Sequence, residues 1–176
     1  LGRHSVVSTT IKTPERLLKH VIADEKHTRH NSAKVYVATT VAHGCILGSS
    51  IASDAGAKEL TKAYGDFKEE AQELAPQYHP ITVNTDGWEA TQQAWKSLFP
   101  NILIILCFLH AFLKIKERCR RSKELLKRIG DRVWNAYHAP TLAQFSQRIR
   151  RLREWAHSHV QAGAAKDKVS ELCKKA

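Results

Sequence analysis

A mixed α/β sheet with flanking helices, followed by an all-helical basic region, is the fold class that this sequence predicts. Three observations lead there. Strand-like and helix-like runs alternate in the order β-β-β-α-β-α-β; two of the strand-like runs carry an aspartate, Asp24 and Asp86; and from about Ala111 the spacing is helical to the end. A meander of three strands followed by right-handed αβ crossovers builds a mixed five-stranded sheet with helices packed on it.

Residues 1–19 are a polar lead-in holding Pro14 and a short helical turn, and read as a linker or the edge of an upstream region. Residues 20–25 form the first strand, ending near Asp24 and Glu25, and residues 26–32 are a polar, basic turn. Residues 34–41 and 45–51 are β-branched runs around His43-Gly44, the pattern of a hairpin. Asp54 is the expected N-cap of a helix through residue 74, with Leu60, Ala63, Tyr64, Phe67, Ala71 and Leu74 at steps of three and four. Pro76 and Pro80 end it. Residues 81–85 form the fourth strand, which stops at Asp86-Gly87 and passes into a helix through Trp95 and Leu98; Phe99-Pro100 stops that helix. Residues 102–108 form the fifth strand.

The remainder is amphipathic and basic. A helix is predicted over residues 110–129 and continues through residues 133–137 after Gly130, until Pro140 breaks it. Thr141-Leu142-Ala143-Gln144 has capping-box spacing and opens a helix with Leu142, Phe145, Ile149, Leu152 and Trp155 on one face. Trp134 and Trp155 are expected as anchors between helices, with stacking on a flipped base as the other use of an aromatic there. The expected organisation is therefore a linker at 1–19, a core at 20–112 and a basic helical region at 113–176.

Charge follows the same division. Residues 1–113 hold 11 Lys or Arg against 11 Asp or Glu, whereas residues 114–176 hold 17 against 6, so the net charge of +11 lies wholly in the last third. A basic segment on a balanced domain suits a polyanion, because neutralising phosphates releases counterions; the plain alternative is a solvated basic helix. The longest apolar run, near residues 102–109, is far too short to span a bilayer. Cys45, Cys107, Cys119 and Cys173 show no pairing pattern and read as reduced thiols of an intracellular protein. The start at Leu1, without a Met or a signal pattern, is that of an excised segment.

With Asp24, Asn84-Thr85-Asp86-Gly87-Trp88 and Cys107-Phe108-Leu109-His110 in this strand order, the chain resembles an RNase H-like DDE transposase catalytic domain. It is similar to the branch of bacterial insertion-sequence, mutator-like and hAT-like transposases, whose signature is Cys or Asp, two residues, then His after the second aspartate. The resemblance covers residues 20–112 by order and motif, and the helical remainder matches in type the insertion such enzymes carry before a third acid, a glutamate.

What the resemblance implies is DNA strand cleavage and strand transfer. Asp24 and Asp86, with a glutamate, would hold two Mg²⁺ or Mn²⁺ ions about 3.5–4 Å apart, hard cations that take oxygen ligands. Cys107 and His110 would lie close to the active centre, His110 near the scissile phosphate or behind the acids; the other readings are a buried thiol with a capped histidine, or a zinc site, which lacks a second ligand pair. Glu25 follows Asp24 but points to the opposite face of a strand, so it stays outside the metal set. The third acid is expected beyond Ala176, with Glu171 as the candidate within the chain. Lys114, Lys116, Arg118, Arg120, Arg121, Arg148, Arg150, Arg151 and Arg153 would grip the phosphates of double-stranded DNA. The implied protein acts as a homo-oligomer without a membrane anchor, cytoplasmic and, in a bacterium, nucleoid-associated. The rivals are an inactive DNA-binding remnant and a cellular RNase H-like nuclease.

Overall fold

The computed structural model describes residues 4–5, 11 and 13–176, so most of the predicted lead-in falls outside the described residues. The chain divides into two compact units, Leu1–Ile105 and Leu106–Ala176. The boundary falls before Cys107 rather than at 112/113, because the helix that opens there packs with the helices after it.

The first unit is built on a sheet of six strands in the order β1-β4-β3-β2-β5-β6. They are β1 (His4–Ser5), β2 (His20–His30), β3 (Ala33–Ala42), β4 (Cys45–Ala52), β5 (Thr82–Thr85) and β6 (Leu103–Leu106), with α1 (Ala57–Leu74) and α2 (Glu89–Leu98) between the later ones. β1 is a two-residue strand at the β4 edge; the other five are those predicted, in the predicted chain order. β2, β3 and β4 pair antiparallel, and β5 joins β2 in parallel. This is the predicted mixed sheet with flanking helices.

Alternation along the strands decides which side faces the helices. Val21, Ala23, Val83 and Thr85 are buried, and the three apolar ones join Leu60, Tyr64, Phe67, Trp95 and Phe99 in one core. Ile22, on the other face, is 48% exposed. Gly48 lets α1 lie close on β4, since a Cβ there would sit 3.1 Å from Phe67 Cβ. Trp95, wholly buried between α1 and the sheet core, is the anchor whose truncation to Ala would cost about 3–5 kcal/mol.

Three local expectations are corrected. β2 does not stop near Glu25 but runs to His30, and the predicted basic turn is the outer part of a hairpin. Its actual turn is Asn31-Ser32, both left-handed (φ 48° and 65°), as a two-residue hairpin loop requires. The N-cap of α1 is Gly56, because the Asp54 carboxylate is spent accepting the Gly56 N–H at 2.6 Å one step earlier. The fifth strand is shorter than its apolar run and ends before Cys107.

The second unit holds α3 (Phe108–Arg118), α4 (Lys123–Tyr137), α5 (Leu142–His159) and α6 (Ala164–Lys175) around Ile115, Ile129, Val133, Leu152 and Val169. The helix predicted across 110–129 is two helices, since the Ser122 hydroxyl caps α4 by accepting the Leu125 N–H at 3.3 Å, and Gly130 lies buried inside α4. Thr141 caps α5 as predicted, accepting the Gln144 N–H at 3.2 Å. No helix among the described residues is long and apolar enough to cross a membrane.

Candidate active site

Asp24 and Asp86 reach the same level of the sheet from different causes. Asp24 lies within β2, whose alternation buries Val21 and Ala23 and turns Asp24 to the exposed side. The parallel register pairs His20 with Thr82, Val21 with Val83 and Ile22 with Asn84; Asp24 and Asp86 each follow the last of these pairs by two residues, Asp86 being the residue after β5. Neighbouring strands lie about 4.8 Å apart, and residues in register project to the same face. The His20 ring and the Thr82 hydroxyl, 3.0 Å apart, show a shared face at the first of these pairs, two repeats of the pleat before the aspartates.

Asp86 is held by the turn into α2. Its Oδ1 accepts the Trp88 N–H at 2.7 Å, Gly87 takes a left-handed φ of 89°, and the Gln92 amide donates to the Gly87 carbonyl at 3.1 Å. The strand therefore stops at Asp86-Gly87 in a turn, and the turn orients the carboxylate at the strand end.

Glu25 faces the helices, as alternation requires, yet it is not isolated from the aspartates. Its Oε1 accepts the Tyr64 hydroxyl at 2.5 Å and the Thr91 hydroxyl at 2.8 Å, tying β2 to α1 and α2. Burial raises its pKa above the usual glutamate value; the two hydroxyl donors oppose the rise, and the charges of Asp86 and then Asp24 add to it. Burial likewise pushes the Tyr64 phenol far up, so Tyr64 is a neutral donor.

The other predicted residues lie in the helical unit. Cys107 is the half-buried N-cap of α3, and His110 sits in its first turn with a buried Nδ1 that has no hydrogen-bond partner. Among the described residues no three His, Cys, Asp or Glu side chains gather as a metal site. Both oxygens of Glu171 are engaged, Oε2 by Lys168 at 2.6 Å and Oε1 by Lys175 at 2.8 Å. These two donors hold its pKa down at about 2.

Of the nine basic candidates, Lys114, Lys116, Arg118, Arg121, Arg150, Arg151 and Arg153 are exposed. Arg120 pairs with Glu117 at 3.3 Å, a surface pair of little weight. Arg148 is used internally: it donates to the Asn135 carbonyl at 2.6 Å and joins α4 to α5. Trp134 packs with Phe108, Phe112 and Tyr137, the anchor expected of it. Trp155 is covered by the Arg132 guanidinium at 4.0 Å and by the stacked His159 ring.

Solved structures resemble this chain at low identity. The HTLV-2 integrase catalytic core domain in complex with magnesium, in its trimeric form, is 15% identical, with 84% of this chain and 90% of that chain covered and a TM-score of 0.41. Its dimeric form is 16% identical over 71% and 90% at a TM-score of 0.37. The simian T-cell lymphotropic virus intasome in complex with the PP2A regulatory subunit B56 gamma is 14% identical over 82% of this chain and 49% of that chain, at 0.35. No family model and no curated protein matches the chain.

Sequence reasoning missed the engagement of Glu25. Its partners lie 39 and 66 positions away, and Tyr64 and Thr91 show in the sequence only as members of helical apolar faces. One signal was available: an acid on the buried parity of a strand has to find donors.

Proposed function

We propose that this chain is the RNase H-like core and part of the helical insertion of a DDE-type DNA transposase. Asp24 and Asp86 are its metal-binding acids. The observation that supports the reading is the parallel β2–β5 register, whose last pair, Ile22 with Asn84, lies two residues before each of two aspartates sixty-two positions apart in the chain. That donor set fits Mg²⁺ or Mn²⁺, which accept one or two carboxylates and complete their shell with water and substrate phosphates. When bound, such ions supply Lewis acidity and a nucleophile at neutral pH.

The chain's own residues do the positioning. The Trp88 N–H fixes the Asp86 carboxylate, and Glu25, with Tyr64 and Thr91, fastens the Asp24 strand to both helices. The exposed arginines of α5 supply phosphate contacts without sequence preference. Cys107 and His110 enter the reading on the motif alone. The lysines on both oxygens of Glu171 argue against it as the third acid.

A second reading, a DNA-binding remnant that does not cut, is favoured by the missing third ligand among the described residues. Nicking of supercoiled DNA in Mn²⁺ by the unaltered chain and by Asp86→Asn separates the two. Nicking that disappears in the variant supports the transposase core; binding with no nicking in either supports the remnant; equal nicking by both removes the site.

A further inference from the structure

Beyond Glu25 the β2–β3 hairpin runs on to its turn at Asn31-Ser32. On the helix-facing side its cross-strand pairs are, going outward, Glu25 with Ala38, His27 with Tyr36, and Arg29 with Lys34. Two cations directly opposite each other on one face destabilise a hairpin. Neither makes an ion pair among the described residues, and no Asp or Glu occurs between Lys26 and Ser53 to relieve them. Every residue from 26 to 34 is exposed.

Just inboard of the cations lie three rings. His27 is 4.8 Å from Tyr36 and 5.7 Å from Trp88, and Tyr36 is 6.1 Å from Trp88. The rings meet at 48° to 71°, not face to face, so ring surface remains for a further planar group. Trp88 is also the residue whose N–H holds Asp86, while Asp24 lies on the opposite face of β2 from His27. An open groove bordered by His27, Arg29, Lys34 and Tyr36 joins rings to cations.

We propose that the outer β2–β3 hairpin is a binding site for an unpaired nucleic-acid strand, with a base stacked on the His27–Trp88 rings and its flanking phosphates on Arg29 and Lys34. Packing alone accounts for the rings but gives the opposed cations no role. A phosphate between them turns their repulsion into a bridge. The rings call for a base released from pairing, because a π-face is accessible only outside the duplex. The site rests on the nucleic-acid half of the function proposed above and needs no metal.

The test is fluorescence anisotropy of the whole chain in EDTA, with a labelled blunt duplex and the same duplex carrying a short single-stranded tail. The tailed DNA should bind roughly 5- to 150-fold tighter, the span of one stacked base. His27→Ala should remove that preference while blunt-duplex affinity holds. The double variant Arg29→Ser, Lys34→Ser should weaken tailed-DNA binding and reduce its salt slope by about 1–2. Its melting temperature should hold or rise, because opposed charges are gone; a fall would show a structural role and overturn the assignment. Equal affinity of the unaltered chain for both DNAs, or a tail preference that survives these substitutions, overturns the hairpin site and leaves the helical contacts standing. No binding to either DNA removes the function proposed above as well.

Discussion

In the sheet unit Glu25 sits half-buried among hydroxyl donors and two aspartates, and its pKa is raised. In the helical unit Glu171 lies near the surface between two lysines, and its pKa is lowered to about 2. The contrast extends to whole regions: residues 1–105 hold equal numbers of acids and bases, whereas residues 106–176 carry nearly three bases per acid. The charges of Asp86 and Asp24 add to the rise at Glu25, whereas two lysines lower Glu171. Under the proposed function the first unit would offer carboxylates to a metal and the second would offer cations to phosphates.

Four changes would break or sharpen that division. The largest effect is expected of Asp86→Asn. Its amide oxygen still accepts the Trp88 N–H, so the melting temperature should hold, while Mn²⁺ affinity, read by electron paramagnetic resonance, falls by more than about 100-fold, the upper end of what outer-shell changes cost. Unchanged Mn²⁺ affinity would dissolve the acidic half of the contrast. Next, replacing Arg150, Arg151 and Arg153 with Ala should reduce the salt slope of duplex binding by roughly 2–3, near one unit per lost phosphate contact. An unaltered slope would make α5 a solvated face.

Third is the hub itself. Glu25→Ala leaves the Tyr64 and Thr91 hydroxyls without their acceptor and should lower stability by about 1–3 kcal/mol in urea denaturation, whereas Glu25→Gln keeps an acceptor oxygen and should lose less. Equal losses would mean that charge, not hydrogen bonding, is what holds Glu25. The smallest effect belongs to Glu171. Its folded pKa lies below the ordinary 4.5, so its contribution is present above pH 4.5 and is lost as pH falls toward 2. The side chain is 42% exposed, so screening keeps the effect small; Glu171→Gln should flatten only a slight acid-side decline in melting temperature, less so at high salt.

The sheet was legible because its signals are local. Alternation in residues 34–41 and 45–51, the apolar run at 102–106 and the 3–4 spacing of Leu60, Tyr64 and Phe67 each report burial within a few residues. The outer half of β2 was illegible for the same reason. Residues 26–30 are polar on both faces, so nothing in their pattern distinguishes a strand exposed on both sides from a loop; pairing with β3 alone keeps them extended. The break between α3 and α4 was hidden by helix formers on both sides of Ser122, whose hydroxyl looks like any solvent-facing group until it caps.

Of the candidate site, the sequence by itself singled out the two aspartates, the turn after Asp86 and the concentration of basic charge in the helices, but set Asp24 at a strand end where β2 runs on to His30. These depend on near-neighbour patterns and composition, which any linear reading carries. Tertiary structure alone decided that Glu25 is gripped by Tyr64 and Thr91, that Glu171 is occupied by lysines, that Arg148 serves the fold, and that His27, Tyr36 and Trp88 meet beside opposed cations. Each of these is a partnership between side chains distant along the chain or turned by a particular rotamer, and partner choice follows from packing, which local spacing does not encode.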